Sequence, residues 1–127
     1  MLSQFEITTA LPAKDMDRAE RFYEDVLGFD KADDAETGTM YESGDGTSFF
    51  IYPSSFAGTN QGTAATWHVD DIENVVDKLR DRGVDFEEYD MPDLTTEDGI
   101  AELEDGTKTA WFRDTEGNIL ALTEYKL

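Results

Sequence analysis

Asp15-Met16-Asp17-Arg18-Ala19-Glu20-Arg21-Phe22-Tyr23-Glu24-Asp25-Val26-Leu27-Gly28 is the stretch that decides the fold, because the chain repeats its plan from Asp71-Ile72 to Gly83. In each copy an Asp able to cap a helix precedes an apolar stripe, and a glycine closes it. Ala19, Phe22, Tyr23, Val26 and Leu27 fall at i, i+3, i+4, i+7 and i+8; Ile72, Val75, Val76 and Leu79 repeat the spacing. The Asp pair lies 56 positions apart and the Gly pair 55, so the register holds to within a residue. Two copies of one unit imply one architecture built twice.

Working outward, Phe5, Ile7, Thr9 and Leu11 alternate with Glu6, Thr8 and Ala10, which predicts a strand ahead of the first helix. After that helix, Met40-Tyr41-Glu42, a Gly44-Asp45-Gly46 turn and Ser48 to Tyr52 read as a hairpin. Pro53 to Gly62 lacks periodicity, is rich in turn formers and serves as the linker. Beyond it, Ala65, Trp67 and Val69 alternate with Ala64, Thr66 and His68, and Asp70 or Asp71 caps the second helix. Phe86 to Tyr89 reads as a strand, Met91 to Gly99 as a long loop, and Asp105-Gly106 as a turn leading to strands at 110–113 and 119–123. The order is βαβββ twice in a single α+β domain over 1–127, with module one at about 4–56 and module two at about 63–125. Each helix should cover one face of its sheet, leaving a curved mixed sheet around a cleft. Strand alternation sends Thr8, Phe50, Tyr52, Ala64, Thr66, His68 and Ala121 to the cleft face, provided no register slips.

Composition narrows the function classes. Thirty acidic residues against ten basic ones give a net charge of −20, spread along the whole chain and interleaved with aromatics. That is a charged globular surface rather than a disordered acidic tail. Self-repulsion of this size disfavours a compact state unless counterions screen it, so we expect a halophilic protein. The same charge disfavours nucleic-acid binding, and a nucleic-acid mimic needs its acids in a patterned stripe. The absence of cysteine excludes disulfides and thiolate chemistry. The first residues have neither a cationic start nor a signal-length apolar run, so a cytoplasmic protein without a membrane partner is expected.

Three segments resemble the vicinal oxygen chelate superfamily, which groups glyoxalase I, extradiol dioxygenases, fosfomycin resistance enzymes and bleomycin resistance proteins. They are Ala10 to Phe29, Trp67 to Phe86, and Phe112-Arg113-Asp114-Thr115-Glu116-Gly117-Asn118-Ile119, which looks like the family's closing aromatic-x-Asp-x-x-Gly-Asn signature. The resemblance implies the twofold βαβββ fold and a homodimer. It also implies four strand positions where metal-dependent members carry His or Glu. Here those positions fall on Thr8, Phe50, Ala64 and Ala121, and methyl groups and a phenyl ring cannot coordinate a divalent cation.

No cofactor is therefore expected. The favoured reading is metal-independent binding of a small, partly apolar molecule in the cleft, with Phe50 and Tyr52 giving contact area and Thr8, Thr66 and His68 fixing orientation. The alternative is an enzyme of this superfamily, a lyase, isomerase or dioxygenase, with a displaced metal site or metal-free acid/base catalysis. His68, the sole histidine, is the candidate catalytic residue. The favoured reading of this residue by itself is a histidine tied into the sheet's hydrogen bonds. Trp67 is assigned to the core, and Asp70-Asp71 is sufficiently explained by helix capping.

Overall fold

The computed structural model describes residues 1–126. Module one runs β1 (Thr9–Ala13), α1 (Met16–Arg21), β2 (Lys31–Ala35), β3 (Gly38–Glu42) and β4 (Ser48–Pro53). Module two runs β5 (Thr63–His68), α2 (Ile72–Asp81), a short hairpin of β6 (Asp90–Met91) and β7 (Leu94–Thr95), then β8 (Ile100–Glu102), β9 (Lys108–Arg113) and β10 (Ile119–Glu124). The two four-stranded sheets share one topology, β1-β4-β3-β2 and β5-β10-β9-β8. In each, the first strand lies parallel to the last and the other neighbours are antiparallel. The repeat read from the helices is thus a repeat of whole α+β modules.

Both helices start as their sequences dictate. Asp15 Oδ1 accepts from the Arg18 N–H at 3.1 Å, and Asp71 Oδ1 from the Asn74 N–H at 3.4 Å. Each satisfies one donor that a helix N-terminus leaves open. α1 widens into a π-type turn over Phe22–Val26, where the Leu27 N–H reaches the Phe22 carbonyl at 3.0 Å. Tyr23, one turn after the buried Ala19, is fully buried against Tyr41 and Phe49.

The helix-facing sides of both sheets merge into one core. Leu11, Tyr41, Phe49 and Ile51 from module one are continuous with Ile72, Val76, Phe112, Leu120 and Leu122 from module two. Each fully buried aliphatic side chain contributes roughly 1.5–3 kcal/mol. The linker at 54–62 is clipped to this body: Ala57 is buried, and the Gly58 backbone crosses the Gly117 turn closely. Among the described residues no helix is long and apolar enough to cross a membrane.

Three expectations change. The first strand begins at Thr9 rather than Phe5, because Thr9 already stands opposite Phe49 at the start of β4, and Leu2–Gln4 forms a 3-10 turn. Phe5 and Ile7 are left 65% and 96% exposed. Phe86 to Tyr89 is not a strand; Phe86 alone makes a bridge, to Phe112, because β8 takes most of that edge of β9. The long loop also carries the β6–β7 hairpin, invisible in a stretch without alternation.

Candidate functional site

The modules are held in place by the β9–β10 turn of module two. Glu116, 5% exposed, accepts at Oε1 from the Lys14 and Asp15 N–H groups, both at 2.9 Å, and at Oε2 from Arg18 Nε at 2.9 Å. Thr115 Oγ1 adds a hydrogen bond at 2.9 Å. Burial works against the charge, but the Arg18 guanidinium and the donated hydrogen bonds outweigh it and hold Glu116 at about 2. Beside it, the buried Asp114 accepts from Tyr23 Oη at 2.6 Å and from Asn118 Nδ2 at 2.8 Å, while Asn118 Nδ2 also donates to the Pro12 carbonyl at 2.9 Å. Burial and the Asp114 carboxylate push the Tyr23 hydroxyl well above its usual range, so it stays a proton donor.

This lock sets β5 beside the β3–β4 turn, and a groove of about 550 Å³ opens between them. Module one supplies Thr9, Phe49 and the turn residues Ser43, Asp45, Thr47 and Ser48; module two supplies Ala65 to His68 along β5. Ser43 Oγ accepts from Trp67 Nε1 at 3.0 Å, and Phe49 meets the indole edge-to-face at 5.8 Å. Asp45 holds the left-handed turn at φ 58°, a conformation Asp tolerates. The walls are therefore hydroxyls that donate and accept, two aromatic rings, an imidazole and one carboxylate. Such a lining suits an uncharged or cationic molecule with polar groups around an apolar frame.

The residues expected in the cleft are divided. Thr66 and His68 line the groove, and Thr8 lies just ahead of Thr9, exposed. Phe50 and Tyr52 are half-buried on the opposite face of β4, outside the groove, where Phe50 stands beside Ala10 and Met40 and Tyr52 beside Pro12. Ala64 is half-buried in β5. Ala121 does not open on a cleft; it is 2% exposed, with Trp111 opposite it in β9. Trp111 Nε1 donates to Thr63 Oγ1 at 3.2 Å, and Tyr89, just ahead of β6, packs against its ring at 5.5 Å. Tyr89 thus covers part of Trp111 on that face of module two. His68 closes β5 opposite Thr123, and its exposed side chain sets its ring against Tyr125 at 4.9 Å.

Trp67, assigned to the core, is half-buried: it packs on the core and also walls the groove. The turn Ser43–Ser48 was legible as a hairpin but not as a site, because no local pattern says which strand a turn will face. Asp71, Glu73 and Glu124 place carboxylate oxygens within 4.8 Å of one another. Each already has work: Asp71 caps α2, Glu124 Oε1 accepts from the Ile72 N–H at 2.9 Å, and Glu73 pairs with Lys108 at 2.7 Å. The Lys108 hydrogen bond lowers the Glu73 pKa.

With this geometry in view, the profile of the Glyoxalase/Bleomycin resistance protein/Dioxygenase superfamily matches residues 7–122. The chain belongs to that superfamily. No curated protein matches this superfamily member in sequence. Among solved structures it is similar to a bleomycin-binding protein complexed with bleomycin, at 20% identity and TM-score 0.73, covering 96% of this chain and 99% of that one. It is also similar to a glyoxalase family protein from Enterococcus faecalis, at 21% identity and TM-score 0.73, covering 98% and 100%. A lactoylglutathione lyase from Agrobacterium tumefaciens aligns at 18% identity and TM-score 0.71, covering 94% and 92%. At these identities the likeness establishes the fold, and the superfamily's two-module sheet is what this chain builds.

Proposed function

We propose that this protein binds a small, partly apolar molecule without a metal, in the groove between the β3–β4 turn and β5. The observation that carries the reading is the groove itself: about 550 Å³, within the range of small-molecule sites, with hydroxyl groups arranged around Trp67 and Phe49. Thr66 and His68 orient the ligand from β5, and Thr8 closes the end beside Thr9. The positions where metal-dependent relatives carry ligands hold Thr8, Phe50, Ala64 and Ala121, whose side chains lack imidazole and carboxylate. A protein of the same fold, complexed with bleomycin, supports a reading in which this fold holds a small molecule. We further propose a cytoplasmic homodimer adapted to high salt; the exposed Leu2, Phe5 and Ile7 at the free end of β1 are the apolar surface a second copy would cover.

The test has two arms on the full chain purified in concentrated KCl without chelators. A thermal-shift screen of uncharged and cationic ring compounds, bleomycin among them, should find ligands that raise the melting temperature, and Thr66→Arg should remove the rise by filling the groove. Metal content per chain should be far below one. Near-stoichiometric metal that disappears in His68→Ala would overturn the reading in favour of an enzyme with a relocated centre.

A further inference from the structure

Trp67 has a second side. Its indole N–H is turned to Ser43, and behind the ring, on the helix side of β5, lies a separate pocket of about 170 Å³. Module one contributes Leu27 and Phe29 to its wall, α2 contributes Val75 and Leu79, and the floor is Leu122 and Phe112. Every lining residue is aliphatic or aromatic. The two walls are tied together, because Arg82 at the end of α2 donates to the Val26 carbonyl at 3.1 Å. Phe29 is fixed in turn by its N–H bond to the Tyr23 carbonyl at 2.9 Å and by its ring contact with Phe49 at 4.9 Å. The pocket is therefore bounded by pinned elements.

Its chemistry selects the occupant. The pocket opens to solvent on one side, but its walls offer water only hydrocarbon and ring faces, so an ordered water gains no polar partner from the protein. An ion would be stripped of solvent with nothing in exchange. A closed cavity of about 150 Å³ lined by similar side chains takes up benzene or xenon; here the mouth is open, and an apolar occupant gains by taking the pocket's hydrocarbon walls out of water. We propose that this pocket is a second binding site, distinct from the groove, for a small uncharged hydrocarbon about the size of one aromatic ring. Trp67 is the partition between the two sites, since its ring borders both. The proposal does not rest on the function assigned to the groove, and the two stand or fall separately.

The experiment is methyl-selective NMR on the full chain in concentrated KCl, titrated with benzene and, separately, under xenon pressure. Saturable shifts should be confined to the methyls of Leu27, Val69, Val75, Leu79 and Leu122, with nuclear Overhauser contacts from the benzene protons to the same groups. Val75→Phe, at a half-exposed position, should fill the pocket and abolish both effects. Leu79→Phe fills it from the next turn of α2 and should do the same, so a folding failure in one variant leaves the other to decide. No saturable shift up to the solubility of benzene would overturn the proposal. So would shifts centred on the exposed Leu2 and Ile7, or binding that persists in a folded filled variant.

Discussion

Glu116 of module two caps the first helix of module one, and Arg18 of that helix closes over it with Nε 2.9 Å from Oε2. Helix caps are ordinarily local, supplied by the residue at the helix start. Asp15 does that here, but the carboxylate that satisfies the Lys14 and Asp15 N–H groups comes from the far end of the chain. The module interface is thereby built into the start of a helix.

This makes acid stability readable at one residue. Glu116 sits at about 2 in the folded protein against 4.5 without its partners, a depressed carboxylate. Its stabilisation is fully present above pH 4.5 and is lost as pH falls from 4.5 toward 2. The full shift corresponds to at most about 3 kcal/mol, less because Arg18 is half exposed and screened. Glu116→Gln should be less stable at neutral pH by up to that amount and should lose this part of the slope below pH 4.5. Urea melts between pH 2 and 7 check it; parallel wild-type and variant curves would contradict it.

Tyr23→Phe removes a donor from Asp114 at 2.6 Å but leaves that carboxylate with the Glu116 and Asn118 N–H groups and Asn118 Nδ2. The expected cost is about 2 kcal/mol, typical of a hydrogen bond to a charged group. Asp114→Ala should cost more, because it orphans the Tyr23 hydroxyl and two backbone donors together. Denaturant midpoints rank the two, and a Tyr23→Phe cost exceeding that of Asp114→Ala would show that the network is not organised by the carboxylate.

Gly117 has φ +90°, and a Cβ there would stand 2.9 Å from the Gly58 Cα. Gly46 has φ +77° with open space around it. Alanine at Gly46 should cost only the left-handed backbone term, about 1–2 kcal/mol. At Gly117 it should cost clearly more, since the linker must move as well. Equal losses in thermal unfolding would mean that the linker is not seated on this turn.

How much of this was legible from sequence depends on whether a property is local. The helices, Asp15, Asp71 and the hairpin at Gly44–Gly46 carry their instructions within a few residues, and the structure follows them. Phe5 and Ile7 alternate as a strand should, yet a strand needs a neighbour, and β4 starts too late to supply one. Trp111 stands opposite Ala121 and supports Tyr89, which no local pattern announces, because register across strands is invisible locally. The groove is the extreme case. Ser43 and Trp67 are 24 positions apart and meet because the shared core and the Glu116 and Asp114 contacts hold the two modules against each other.

Salt should stabilise this protein rather than weaken it. Ion pairs are what salt would disrupt, and Arg18, Lys31, Arg80, Lys108 and Arg113 all make them. Apart from the buried Glu116 of the Arg18 pair, their partners are partly or fully exposed, so each of those other pairs contributes at most about 1 kcal/mol. Against them stand 30 acids to 10 basic residues, a surplus of 20 negative charges that no arrangement of pairs can neutralise. Repulsion among those acids acts over a screening length of about 8 Å at 0.15 M salt and about 3 Å at 1 M. The unscreened repulsion therefore outweighs the pairs, and the melting temperature should climb as KCl is raised from 0.15 M toward 1 M and beyond. Melting curves in KCl, with sucrose as a non-ionic control, separate screening from general solvent exclusion. A melting temperature that falls or stays flat with KCl would mean that the ion pairs, not the surplus acids, govern the surface.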